Sequence, residues 1–538
     1  MNNRKLLATF LMFAPLLCAA QEKGLDERVN DAFMPVAVWW ESLILTSIPI
    51  GGYNIPIVLI LLVGGATFFT IYFKFPGITK FPLAIRVVRG KYEEVEKYGL
   101  EKVELHMTED GDIPDTIRDE SEAGEVSHFQ ALATAVSGTV GLGNIAGVAV
   151  AIAVGGPGAT FWMIVCGLLG MSTKFVECTL GVKYRDMGAD GTVFGGPMYY
   201  LSKGLKLRGM AGLGKVLAVI FAVLCVGASF GGGNAFQSNQ AAVQLSTMLD
   251  LQGGATGVII GVILAFLVGI VIIGGIKKIA SVTEKIVPFM AIIYVLASLV
   301  IIFANIRYIG DAFGHIFAGA FSPEAGLGGI LGVIIVGFQR AAFSNEAGAG
   351  SAAIAHSAVK TRYPASEGIV ALLEPFIDTV VICTMTALVI IFFNMDAGAF
   401  SYGDTVGSTV LLSESGTYVG GVDLTSMAYD SVIPGFRYVL TIAIILFAFS
   451  TMISWSYYGL QSWKYLFGRG KTADIAYKIL FLLFVVIGAG ATLDAVIKFS
   501  DAMILALVFP NMIGLLILFP RVRESLNRYV KAVYKIYH

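Results

Sequence analysis

Eleven long apolar runs dominate this sequence, at residues 53–73, 128–153, 158–182, 213–242, 254–275, 283–305, 327–355, 366–394, 434–462, 475–493 and 496–519. Roughly 20 apolar residues in a helix cross a hydrocarbon layer about 30 Å thick, and each run is of that order. Backbone N–H and C=O groups meet no water there, so such runs must be helices that pair their polar groups internally. The overall balance agrees: 56% of the 538 residues are hydrophobic and 14% are charged, against about 25% charged in an average soluble protein. A soluble globular enzyme is disfavoured, and a net charge of −1 offers no basic excess for nucleic acid. The expected class is an all-α polytopic membrane protein with about 11 transmembrane helices.

Residues 1–20 combine Arg4 and Lys5, a short apolar run and the small residues Cys18, Ala19 and Ala20, the pattern of a signal peptide; an uncleaved anchor is the alternative. The other cysteines, Cys166, Cys178, Cys225 and Cys383, have no metal or redox spacing and are expected as small core residues. Lys and Arg concentrate in alternate connecting segments, 28 in one set against five (Lys23, Arg28, Arg307, Arg437 and Lys498) in the other. By the positive-inside rule the mature N-terminus is then outside and the C-terminus cytoplasmic. The expected organisation is a signal peptide at 1–20, and an outer N-terminus, leading helix and cytoplasmic amphipathic loop at 21–127. Five-helix repeats follow at 128–305 and 306–519, then a tail at 520–538. Residues 77–100 are expected as an amphipathic helix on the inner leaflet, and Glu109 to Glu125 as a solvated loop.

Two spans break the run of good helix formers. Residues 137–147 read SGTVGLGNIAG, and the span 328–358 carries Ser344, Asn345, Glu346, Gly348 and Gly350. Glycine in a helix interior costs up to about 1 kcal/mol relative to alanine, and unpaired backbone in lipid costs several kcal/mol per group. Unwound backbone persists in a membrane where it lines a cavity or coordinates something; close packing of small residues is the bland alternative, favoured for Gly147 alone. The broken spans are the second and seventh, so each opens a block of five, and an odd block inverts the orientation of its copy. Paired interruptions in inverted halves point to a binding site in a secondary transporter, a pattern established for leucine-transporter-type proteins. Free amides at a half-helix N-terminus suit a carboxylate, and free carbonyls suit a cation.

At SGTVGLGNIAGVAVAIAVGGPGATFWM (137–163), TVFGGPMYYL (192–201), FSNEAGAGSAAIAHSA (343–358) and FSTMISWSYYG (449–459) the chain resembles the alanine/glycine:cation symporter family, the sodium:alanine symporters. The resemblance implies a 5+5 inverted repeat of the leucine-transporter type with one leading helix. It also implies sodium-coupled uptake of small neutral amino acids such as alanine and glycine. The signal-peptide pattern with an outside N-terminus points to a cell inner membrane, and a functional monomer is expected. Carried over residue by residue, the amides near Gly141, Leu142 and Gly143 would face the substrate carboxylate. Asn144 and the Thr139 carbonyl would face its amine or a cation. Asn234 and Gln237 would be pocket residues, Phe343 a wall, and Ser344 and Asn345 polar contacts. Ser450 and Thr451 would join the carbonyls of Ser137 and Val140 around sodium, and Met452 and Trp455 would limit substrate size. Hydroxyls and carbonyls suit a hard cation without a buried carboxylate.

Ionisable residues inside spans are functional candidates. Arg340 and Glu346 flank the second break, as an ion pair or a cap, or in a coupling role. Glu374 and Asp378, and Glu177 beyond Lys174, have structural and proton-coupling readings, and His128 and His356 are expected as helix-end caps rather than a proton relay. Proton-coupled symport therefore stays open. A cation channel is a remote alternative, because Thr139–Gly143 echo a potassium filter, but apolar sequence continues on both sides. A membrane enzyme lacks support: no HExxH motif and no paired catalytic carboxylates occur.

Overall fold

The computed structural model of the chain describes residues 24–50, 53–96, 124–188, 191–251, 253–321 and 329–537. The expected signal peptide and the acidic stretch up to residue 123 lie outside the described residues. Helices carry the architecture: α1 (Leu25–Ile44), α2 (Ile57–Tyr72), α3 (Phe81–Val88), α4 (His128–Thr139), α5 (Gly143–Gly155), α6 (Gly158–Lys183), α7 (Ala211–Leu249), α8 (Thr256–Ile272) and α9 (Gly275–Ala304). They continue as α10 (Ile309–Phe321), α11 (Gly329–Asn345), α12 (Ala352–His356), α13 (Pro364–Ala397), α14 (Gly421–Asp430), α15 (Phe436–Phe467), α16 (Lys471–Gly490) and α17 (Leu493–Tyr537). Seven of these are long and apolar enough to cross a membrane, and α4 with α5 makes an eighth as one span bent by 50°. Shorter apolar helices, α2, α8 and α11, occupy three further expected runs.

Helices from corresponding places in the two halves pack as neighbours: α6 on α13, α7 on α15, and α8 on α16. The two broken spans lie together with α6 and α13, while α7, α8, α15, α16 and α17 form a second group. Helix α9 packs against both α4 and α15 and so bridges the groups. In α9 and α16 only 39% of the most apolar window is buried, which leaves a wide face for hydrocarbon. By contrast 72% of that window is buried in α15, which passes beside the first break.

Other features lie outside the expected runs. Helix α1 packs along α17, its start docked where Asp26 accepts the backbone N–H groups of Gly257 (3.1 Å) and Val258 (3.2 Å). Residues 77–96 form short helical pieces around α3 rather than one long amphipathic helix, with Pro76 and Pro82 at helix starts. Between α13 and α14 a three-stranded antiparallel sheet, Phe400–Val406, Thr409–Leu412 and Tyr418–Gly420, packs by its first strand on α5. The four cysteines of the described residues are free and buried, as small core residues.

Candidate functional site

Helix α4 starts on a capping box: the Ser127 hydroxyl accepts the Gln130 N–H, and the Gln130 side chain accepts the Ser127 N–H. It stops at Thr139, where Gly138, Gly141 and Gly143 make continued winding unfavourable. The link Val140–Leu142 then needs partners for its donors. The Gly141 N–H donates to Asn144 Oδ1 (3.0 Å) and the Leu142 N–H to Gln237 Oε1 (3.0 Å), and Gln237 Nε2 is anchored on the Gly232 carbonyl (2.9 Å). A Cβ on Gly141 would lie 2.4 Å from Thr451 Oγ1 and 3.1 Å from Gln237 Oε1, so only glycine allows this approach.

The last turn of α4 presents oxygens to α15. Thr451 Oγ1 donates to the Ser137 carbonyl (2.9 Å), Ser137 Oγ donates to the Ser450 carbonyl (2.8 Å), and Ser454 Oγ donates to Ser137 Oγ (3.0 Å). All four residues are buried. This is a set of hydroxyl and carbonyl oxygens with no charge of its own, the donor chemistry a small hard cation takes.

Asn144 connects the two breaks. While its Oδ1 holds Gly141, its Nδ2 donates to Asp378 Oδ1 (2.7 Å) and to Ser344 Oγ (3.1 Å). Ser344 Oγ in turn donates to Asp378 Oδ2 (2.5 Å). Beyond Ser344, α11 ends at Asn345, and the chain turns through left-handed backbone at Glu346 (φ 55°), Gly348 (φ 98°) and Gly350 (φ 82°). Such a φ is uncommon for a residue with a Cβ and signals that the surroundings dictate the backbone at Glu346. Those surroundings are polar. Glu177 Oε1 accepts the Gly348 N–H (2.8 Å), and Asn511 Nδ2 donates to both the Gly348 carbonyl (2.8 Å) and Glu177 (2.8 Å). The Glu346 carboxylate accepts Trp455 Nε1–H (3.0 Å) and the Ser351 hydroxyl.

Aromatic rings close the space between the breaks. Phe343 stands edge-on to Phe236 with centroids 5.1 Å apart, and a Cβ on Gly143 would lie 3.2 Å from its ring. Trp455 lies over Gly233, where a Cβ would fall 2.2 Å from the indole. Met452, Trp455 and Phe343 are all buried.

Of the residues singled out in the sequence, Ser137, Gly141, Leu142, Gly143, Asn144, Gln237, Phe343, Ser344, Thr451 and Trp455 thus form one connected cluster. Val140 and Met452 lie beside them in the link and on α15. Others turn elsewhere. The Thr139 hydroxyl bonds back to the Ala135 carbonyl (3.2 Å), the Ser450 hydroxyl donates to the Phe447 carbonyl (3.0 Å), and Asn234 Nδ2 donates to the Phe481 carbonyl (2.6 Å). Asn345 supports its own break, donating to Thr379 Oγ1 (2.9 Å) and accepting the Ala347 N–H (2.9 Å). Asp378 and Glu177, flagged as charges within spans, are direct partners of the breaks. Asn511, a lone amide in an apolar run, left no signal in the sequence.

The charge pairings also differ from expectation. Arg340 pairs with Asp501 on α17 rather than with Glu346. Glu374 and Asp378 serve different partners, because the chain is π-wound over Phe376–Cys383: Glu374 meets Lys174 Nζ (2.9 Å) while Asp378 meets Asn144. His128 and His356 do not cap helices; each ring nitrogen of His128 meets a carboxylate, as does each of His356.

The sequence profile of the sodium:alanine symporter family matches residues 44–536. Sodium/alanine symporter AgcS of Methanococcus maripaludis is 40% identical over 86% of this chain and 92% of its own length. The sodium/proton-dependent alanine carrier protein of a Bacillus species is 34% identical over 77% of this chain and 90% of its own. Among solved structures, MhsT in complex with L-phenylalanine matches with a TM-score of 0.48 and 16% identity, over 74% of this chain and 99% of that one. With a profile match across almost its whole length and relatives of this identity, the chain belongs to the sodium:alanine symporter family and is a membrane transporter, not an enzyme.

Proposed function

We propose that the chain imports alanine and glycine together with sodium across a cell inner membrane, by alternating access, and works as a monomer. One observation carries this reading: at the first break, the Thr451 hydroxyl donates to the Ser137 carbonyl (2.9 Å), the Ser137 hydroxyl to the Ser450 carbonyl (2.8 Å) and the Ser454 hydroxyl to the Ser137 hydroxyl (3.0 Å), one turn before the Gly141 and Leu142 amides, which side-chain oxygens cover. Sodium would replace the hydrogen bonds among these oxygens, with the Val140 carbonyl as a further ligand. The substrate carboxylate would displace Asn144 and Gln237 from the amides of Gly141, Leu142 and Gly143, and Asn144, the Thr139 carbonyl, Ser344 and Asn345 would meet the amine. Gln237 and Asn234 would hold the α7 side of the pocket. Phe343, Met452 and Trp455 would leave room for a methyl group and reject larger side chains through overlap.

A second cation reading has its own support. Asp378 is a buried carboxylate within the same cluster, and its hydrogen-bond donors are the neutral Ser344, Asn144 and Thr379. A proton there would serve as driving ion. Uptake of labelled alanine into proteoliposomes separates the two: the sodium reading expects uptake to stop when choline replaces sodium. Equal uptake in choline that follows an imposed pH gradient would overturn it in favour of the proton.

A further inference from the structure

Away from the cluster, seven ionisable side chains form one hydrogen-bonded and ion-paired row that passes the start of α4 and the end of α12. Tyr529 Oη on α17 donates to Glu96 Oε1 (2.5 Å), and the other oxygen of Glu96 meets Nε2 of His128, the first residue of α4. His128 Nδ1 meets Glu367 Oε2 at the start of α13, whose second oxygen lies 2.5 Å from His356 Nδ1 at the end of α12. His356 Nε2 stands 3.5 Å from Glu374 Oε2, and Glu374 Oε1 accepts Lys174 Nζ of α6 (2.9 Å). Apart from the 12%-exposed His128 side chain, every member from Glu96 to Lys174 is buried.

The proton count follows from this geometry. A neutral imidazole carries one N–H and a carboxylate accepts only. His128 sets both nitrogens against carboxylate oxygens, so the triad Glu96–His128–Glu367 holds one proton more than a neutral histidine between two carboxylates, whichever atom bears it. With both histidines doubly protonated, three carboxylates face two imidazolium ions and one ammonium, and the row is neutral. Removing the His128 proton leaves a buried lone pair against a buried carboxylate, with no hydrogen bond between them. Other charges and titratable groups lie around the triad. Tyr92 neighbours Tyr529, Arg185 acts on Glu367 from beyond the Ser357, Val359 and Thr361 carbonyls it binds, and Glu284 of α9 accepts Gln130 Nε2 (2.9 Å) one turn along α4.

The row also sits where a moving element would be fastened. Helix α4 is a short rod, with the link at Val140–Leu142 as a hinge at one end and His128 at the other. The strand of chain before it is tied to the segment after α12 by Glu125 N–H to the Ala358 carbonyl (2.7 Å) and Lys360 N–H to the Val126 carbonyl (2.9 Å).

We propose that this row is a proton-held latch: α4 stays closed over the cluster only while the extra proton sits at His128, and loss of that proton frees α4 to swing about its link and open this face. This rests on the alternating-access reading for its role in transport, but the latch itself can be tested without substrate. In the full-length protein in proteoliposomes, at constant sodium and without alanine, a cysteine placed at the fully buried Ala135 reports opening through its rate of maleimide alkylation. Dividing by the rate of the exposed Ser415→Cys protein at each pH removes the chemistry of the thiol. The latch predicts that the ratio rises with pH, by up to about tenfold per unit for one linked proton. Added to the Ala135→Cys protein, His128→Gln, with one donor and one acceptor, gives fast labelling without pH dependence. His128→Arg, with charged donors for both carboxylates at every pH, gives slow labelling without pH dependence. A flat ratio in the Ala135→Cys parent, or an unchanged slope in both His128 variants, would overturn the latch, and the parent alone decides if the variants do not fold. Loss of alanine uptake with the pH slope intact would instead sink the transport reading and leave the latch standing.

Discussion

The two breaks solve the same problem with opposite chemistry. Each interrupts a helix inside an apolar span and so exposes backbone groups that must find partners. At the first break the partners are neutral: the Asn144 and Gln237 amides and the Ser137, Thr451 and Ser454 hydroxyls. At the second they include carboxylates, Glu177 on the Gly348 N–H and Glu346 on Trp455 and Ser351. The second break is cross-tied to α6, α15 and α17 through Glu177, Glu346 and Asn511, while the first is the one whose oxygens and amides the proposed solute and cation would take over. Asn144, Ser344 and Asp378 join them in one hydrogen-bonded path.

The strongest test of this contrast is Gly141→Ala. Its Cβ would overlap Thr451 Oγ1, and overpacking of this kind costs about 1–3 kcal/mol at the place proposed for the solute. Alanine uptake is expected to vanish while the protein still elutes as a folded species; normal uptake would show that the link does not approach α15 this closely. Glu177→Ala comes next. It strips the Gly348 N–H of its acceptor, at a cost of about 2 kcal/mol, and should lower the melting temperature in detergent by several degrees. Glu177→Gln should restore most of that loss. If instead Glu177→Ala shifts the sodium dependence and leaves the melting temperature alone, the second break is not the structural one.

Thr451→Ala should act the other way round. Losing one neutral hydroxyl of about 1 kcal/mol raises the sodium concentration for half-maximal uptake roughly five- to tenfold, with little change in melting temperature. An unchanged sodium dependence would remove Thr451 from the ion's surroundings. The smallest effect is expected from Trp455→Phe, which keeps a ring over Gly233 but drops the Nε1–H bond to Glu346. Competition by larger neutral amino acids should strengthen a few-fold, since the smaller ring frees less than the full methylene of room that would be worth about 1–3 kcal/mol. An identical competition profile would assign the size limit to Phe343 or Met452.

Much of this was legible in the sequence because it rests on local chemistry. Apolar length sets the spans, and glycine clusters at 138–147 and 348–350 mark where winding fails; α4 indeed stops at Thr139 and α11 at Asn345. The polar residues near those clusters had few places to go, so Asn144, Ser344 and Thr451 meet their breaks. What the sequence could not specify is which distant groups complete them. Asn234 and Gln237 are alike in type and one turn apart, yet only Gln237 reaches the link, because the π-wound turn at Gly231–Ala235 aims Asn234 at the Phe481 carbonyl. Asn511 and Asp501, lone polar residues on α17, gain their meaning from Gly348 and Arg340 brought against them.

By itself, then, the sequence determined the solvent this chain lives in, the positions of its helices and the two points where they give way, since hydrophobicity and backbone preference act within a few residues. Only the tertiary structure decided that neutral side chains cover the free amides of one break while a glutamate takes a free amide of the other, that Asp378 joins the two, and that two histidines far apart in the chain share one glutamate. Partners separated by hundreds of residues are chosen by which helix faces pack together, and no local signal records that choice.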